Sequence, residues 1–151
     1  MISLVVLAFT SCSLNPGKDL RVPRAIIGSW GYDESKTTTK PDPDEPYADL
    51  YVLYRNDIVS YDSNGTRHSM KEDMLDKFYI EIVKTSNADS VYSITVRNNE
   101  SFEETTISFD YTGLSENQIK VKISDKESES DGTTQELVYK KLTKEEQTPV
   151  E

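Results

Sequence analysis

From residue 77 to residue 124, apolar and polar residues alternate with a period of two, and this pattern limits the fold more than any other feature. In "KFYIEIVK" (77–84), Phe78, Ile80 and Ile82 fall on one side. The same holds for Tyr92, Ile94 and Val96 in "SVYSITVR" (90–97), and for Ile107, Phe109 and Tyr111 in "TTISFDYTG" (105–113). It holds again for Ile119, Val121 and Ile123 in "QIKVKIS" (118–124). The other side carries Glu81, Ser93, Thr95, Arg97, Ser108, Asp110, Lys120 and Lys122. Successive side chains of a strand point to opposite faces, so each run predicts a strand with one dry and one wet face. Such strands belong to antiparallel sheets, because parallel strands covered on both faces read as continuous apolar runs. The links "TSNAD", "NNESFE" and "LSEN" are long enough for hairpins and too short for crossover helices.

Further strands are predicted at "AIIGSWGY" (25–32), "DLYVLYR" (49–55), "IVSYD" (58–62) and "QELVYKKL" (135–142). "DSNGTR" marks a turn, since Asn and Gly tolerate positive φ. The expected fold is therefore all-β: an antiparallel up-and-down meander of about eight strands, closing into a barrel or folding into a β-sandwich. Two segments depart from the pattern. "DESKTTTKPDPDEPYA" (33–48), with three prolines, reads as a polar loop at the rim. In "HSMKEDMLDK" (68–77), Met70, Met74 and Lys77 are spaced for a short helical turn, which Ser69 is placed to cap before Glu72.

Seventeen basic against 27 acidic residues give the chain of 151 residues a net charge of −10. No basic stripe reverses this locally, so nucleic acid is not an expected partner. The single cysteine, Cys12, excludes an intramolecular disulfide, and stability must come from packing and strand pairing.

Cys12 follows "MISLVVLAFTS", an apolar run too short to span a bilayer and ending in small residues, as secretory signals do. No Lys or Arg precedes the run, so the true start is expected upstream. The alternative is an apolar first strand with a buried thiol. With cysteine directly after "FTS", the segment resembles the lipobox of bacterial lipoproteins. That resemblance implies cleavage before Cys12, lipid on its sulfur, and a protein held by its N-terminal lipid to a membrane of the cell envelope, on the periplasmic side or at the cell surface. The expected organisation is a signal peptide at 1–11, a lipidated tether at 12–24, a β-domain at 25–143 and a charged tail at 144–151. "NPG" and the prolines Pro16 and Pro23 break regular structure in the tether.

The first strand carries Gly28 and Trp30 in "IIGSW". With the meander and a basic closing strand, this Gly-x-Trp pattern resembles the lipocalin family, and in particular the short calycin-type domains of lipoproteins from Bacteroides-like bacteria. The resemblance implies that Trp30 plugs the closed end of a barrel beneath a cation, which Lys140 or Lys141 in "VYKKL" would supply. Trp30 is equally readable as plain core.

No catalytic constellation is visible. His68, the only histidine, lies in a polar stretch without an evident nucleophile or orienting partner, and reads as a solvated loop residue. No enzyme activity, cofactor or metal is expected. "DKESESDG" (125–132) alternates acids, but Ser130 stands where a calcium loop needs Gly, and Asp-Gly is a hairpin signal. Among the nine tyrosines, Tyr92, Tyr111 and Tyr139 fall on dry faces with Phe109 and are candidate ligand-lining residues. Inward aromatics serve equally as the filling of a small barrel, and short strands favour filling. Two functions follow: a lipid-anchored, non-catalytic binder of a small hydrophobic molecule, or a solid-cored structural lipoprotein contacting another envelope protein. An open apolar void near residues 33–48 favours the first.

Overall fold

The computed structural model describes residues 19–37, 47–75, 80–125 and 135–143. The leader, Cys12, the remainder of the proline-rich loop, Lys77 and Phe78, the acidic run after Asp125 and the charged tail lie outside these residues. The fold is all-β, as the alternation predicts. Nine strands form one antiparallel sheet: β1 (Gly28–Tyr32), β2 (Leu50–Tyr54), β3 (Asp57–Tyr61), β4 (Arg67–Ser69), β5 (Ile80–Ala88), β6 (Val91–Asn98), β7 (Glu104–Asp110), β8 (Gln118–Asp125) and β9 (Gln135–Lys141). Among the described residues one α-helix, α1 (Met70–Leu75), falls between β4 and β5. Among the described residues, no helix is long and apolar enough to cross a membrane.

The strand order is β4-β3-β2-β1-β9-β8-β7-β6-β5, so every neighbour is consecutive in sequence except the pair of β1 with β9. That pair joins the two ends of the meander, and the sheet curls strongly into a half-barrel with its free edges at β4 and β5. Helix α1 packs against β3, β4 and β5, and so lies across the gap between those edges. Where the helix stands against an edge, it limits the unpaired backbone available to another chain.

The alternation survives into the register. Tyr92 pairs with Phe109, Ile94 with Ile107 and Phe109 with Val121, and these side chains share the concave face. A bulge between Ile82 and Lys84 inserts Val83, which returns Thr85 rather than Lys84 to that face opposite Ile94. On the convex face Arg97 bridges its two neighbours across the strands, with Nη1 2.9 Å from Glu81 Oε1 and Nη2 2.6 Å from Glu104 Oε1.

Several boundaries differ from expectation. The first strand begins at Gly28 instead of residue 25, because Arg24–Ile26 form a 3-10 turn. Residues 19–24, expected in the tether, are built into the domain. Val22 is fully buried, its N–H donates to Arg55 O at 3.0 Å, and its carbonyl accepts from Arg55 Nη1 at 2.6 Å. The apolar Leu20 and Val22 supply core that β1 alone lacks. The short β4 is the ninth strand; "RHS" carries no alternation by which it might have been read. The helical turn is present, and Ser69 Oγ accepts from Glu72 N at 3.2 Å. Asp57 adds to this cap by accepting from Ser69 Oγ at 2.7 Å and from Lys71 N at 3.0 Å.

The core lies on the concave face. A row of rings crosses it, from Tyr32 to Tyr139 (centroids 5.9 Å apart), Tyr51 (5.1 Å), Phe109 (5.6 Å) and Tyr92 (6.5 Å). Each fully buried aromatic of this kind contributes roughly 1.5–3 kcal/mol. The inward aromatics are thus filling in this layer.

Candidate functional site

The half-barrel has two ends, and the strands fix which residues stand at each. The 3-10 turn, the Arg55–Asn56 and Asp89–Ser90 turns, and the end of β9 lie at one end. The β3–β4 turn, α1 and the β6–β7 loop lie at the other.

The first end is closed by Trp30. This side chain is fully buried, and its Nε1 donates to Ile26 O at 2.9 Å, tying the indole to the 3-10 turn. Lys141 stands opposite Trp30 in the β1–β9 register, with Nζ 5.6 Å from the ring centroid. Lys140 pairs with Gly31 and is exposed on the other face. Of the two candidate cations, Lys141 is the one placed over the ring. Gly28 has φ +142°, a conformation that side chains rarely adopt, and a Cβ there would meet Lys141 Cε at 3.5 Å. Gly28, Trp30 and Lys141 therefore meet at one place.

Towards the other end, the concave face holds a recess of about 340 Å³, open to solvent on one side. Ile58, Ile80, Val96, Ile107, Ile123 and Met70 form its apolar wall, drawn from β3, β5, β6, β7, β8 and α1. Tyr47 and Ala48 bring the end of the 33–48 loop to it, while Asp62, His68 and Asp73 stand at its polar margin. Asp62 is fixed by the turn it begins: its Oδ1 accepts from Asn64 N at 2.9 Å and from Thr66 N at 2.8 Å. The Thr66 bond is the first cause of its lowered pKa.

Tyr51 links the recess to the aromatic row. It is only 4% exposed, and burial pushes its phenol up to about 12. No described residue hydrogen-bonds to its hydroxyl, yet the described residues contain no sealed, unsatisfied polar side-chain atom. The hydroxyl therefore opens onto the recess that Tyr51 lines. Tyr139, by contrast, donates to Ala48 O at 2.7 Å, and burial raises its pKa strongly. The recess can hold an apolar body and offer the neutral phenol of Tyr51 to a polar group, with Tyr47 at its edge.

The four aromatic residues that were candidates for ligand lining stand outside this recess. Phe109 and Tyr139 are fully packed core, and Tyr111 lies against the core with its hydroxyl donating to Asn87 Oδ1 at 2.8 Å. Tyr92 reaches a separate cleft at the closed end. Tyr51 was missed although it alternates with Leu53 in "DLYVLYR". His68 is exposed, as expected, but it lies in strand β4 rather than a loop and pairs with Ser60 at the recess margin.

Comparison with protein-family models, with curated proteins and with solved structures finds no match.

Proposed function

We propose that this chain is a non-catalytic binding module that takes a small hydrophobic ligand into the recess beside Tyr51. The observation that carries this reading is the recess itself. Its volume of about 340 Å³ is many times the roughly 30 Å³ that one water occupies, and falls within the range of small-molecule pockets. An aliphatic wall favours an apolar body, and the Tyr51 hydroxyl favours one polar group on it. Solvent-displacing ligands that leave this hydroxyl unpaired should bind more weakly.

The test is an environment-sensitive fluorescent lipophile titrated into the protein, with Ile107→Trp to fill the recess and Tyr51→Phe to remove the hydroxyl. Saturable binding abolished by Ile107→Trp supports the reading. Binding unchanged by Ile107→Trp, in a variant with native circular dichroism, overturns it.

On the sequence resemblance, we place the module in a bacterial cell envelope, held to a membrane by lipid on Cys12. Metabolic labelling with a fatty acid, lost in Cys12→Ala, is the expected result; label that persists in the variant refutes it.

A second reading, an interaction protein of the envelope, draws support from Phe102. Its side chain is 74% exposed and its φ is +62°, a combination that folding alone does not favour. Co-purification of a defined partner with the wild type, lost in Phe102→Ser, is the result this reading requires.

A further inference from the structure

The geometry points to an oxyanion site, for a phosphate group, in the cleft at the closed end of the half-barrel. This cleft of about 340 Å³ is lined by Arg21, Arg55, Thr85, Asn87 and Tyr92 among others, and is distinct from the recess beside Tyr51. In a chain of net charge −10, two arginines line this one cleft. Neither forms an ion pair among the described residues. Arg55 is held in place through Nη1, which donates to Val22 O at 2.6 Å, and its guanidinium carries further N–H donors.

The neighbouring polar groups sharpen the chemistry, because the protein consumes their acceptors and leaves their donors. Tyr92 is 2% exposed, and its oxygen accepts from Arg21 N at 3.2 Å. No described residue accepts its hydroxyl proton. Asn87 Oδ1 accepts from the Tyr111 hydroxyl at 2.8 Å, which leaves the amide NH₂ as donor. The bulge at Val83 turns Thr85 to the same face, adding a hydroxyl. A single exposed carboxylate, Asp19, borders the cleft against the two arginines. Unspent donors supplied by several elements suit an anion whose oxygens point in several directions, and arginine forks match phosphate oxygens in particular. The phosphate has two sources of the same chemistry, a soluble phosphate ester or a lipid headgroup.

The test uses the full chain and inorganic phosphate, followed by chemical-shift perturbation or calorimetry at low salt. Arg21→Gln and Arg55→Gln are each expected to weaken binding about tenfold or more, as loss of a charged hydrogen bond should. Tyr92→Phe keeps the buried ring and should weaken binding less. Co-sedimentation with phosphatidylglycerol vesicles separates the sources: vesicle binding reduced by the arginine variants and by added phosphate assigns the headgroup, and phosphate binding without it assigns a soluble ester. Phosphate binding that is absent, or is unchanged in both folded arginine variants, overturns the proposal. Since the site shares no residue with the recess, its failure leaves the ligand reading intact.

Discussion

Lys141 stands opposite Trp30 across the β1–β9 pair, its Nζ 5.6 Å from the indole centroid. The pairing joins the first and last strands of the meander at the point where the 3-10 turn closes the end. Lys141→Ala is expected to lower unfolding stability by about 0.5–1 kcal/mol, the value of a partly exposed cation over an indole. Lys141→Arg should retain most of it. Trp30→Phe should cost about 2–4 kcal/mol, since it also removes the hydrogen bond to Ile26 O and leaves a void. Urea unfolding followed by circular dichroism measures all three.

Gly28→Ala is expected to destabilise by about 1–3 kcal/mol, because φ +142° is closed to a residue with a side chain. Gly31→Ala tests a different cause. A Cβ there would lie 3.0 Å from Leu142 Cδ2, a methyl that can shift, so its cost should be the smaller of the two. Equal unfolding midpoints for the two variants would contradict this assignment.

The β5–β6 turn is built on Asp89 and Ser90, both with positive φ, at 52° and 62°. Asp tolerates this conformation better than Ser does, and Gly adopts it freely. Ser90→Gly should therefore stabilise the fold by about 0.5–1 kcal/mol. Asp89→Gly should gain less, and a lower urea midpoint for Ser90→Gly would show that the turn is held by something other than backbone preference.

Alkaline stability follows from the buried phenols. Burial raises Tyr51 to about 12, against 10.0 for a free phenol, so between these values the unfolded chain has lost a proton that the folded chain keeps. Stability from this residue is full below pH 10 and falls as pH rises through 12. The loss amounts to about 3 kcal/mol by linkage. Tyr139 is raised as well, also by burial, and adds to the same trend. Chemical denaturation between pH 9 and 12 should show this slope, and Tyr51→Phe should flatten it.

The strand faces were legible because they are local. Ile94, Phe109 and Val121 lie inward for the same reason that each alternates with a polar neighbour, and "DSNGTR" makes a turn because Gly65 takes positive φ and Asp62 caps it. Ser69 as a cap was likewise readable from its distance to Glu72. The recess was less so. Val96, Ile107 and Ile123 were each identifiable as inward residues, but nothing in the spacing said which of them border space and which border one another. Phe109 and Tyr139 were readable either as cavity lining or as filling, and they lie in packed core, since an aromatic at an inward position satisfies either role.

The sequence by itself determined an antiparallel meander, because period-two burial and short links act between residues close in the chain. It also set the net charge and the isolated thiol. Only the tertiary structure decided that β1 meets β9, that α1 covers the gap between β4 and β5, and that residues 19–24 belong to the closed end. These depend on how far the sheet curls, which sums small twists and one bulge over nine strands. That curl leaves Tyr51 at the edge of a recess while Phe109, its ring neighbour, is sealed in the core.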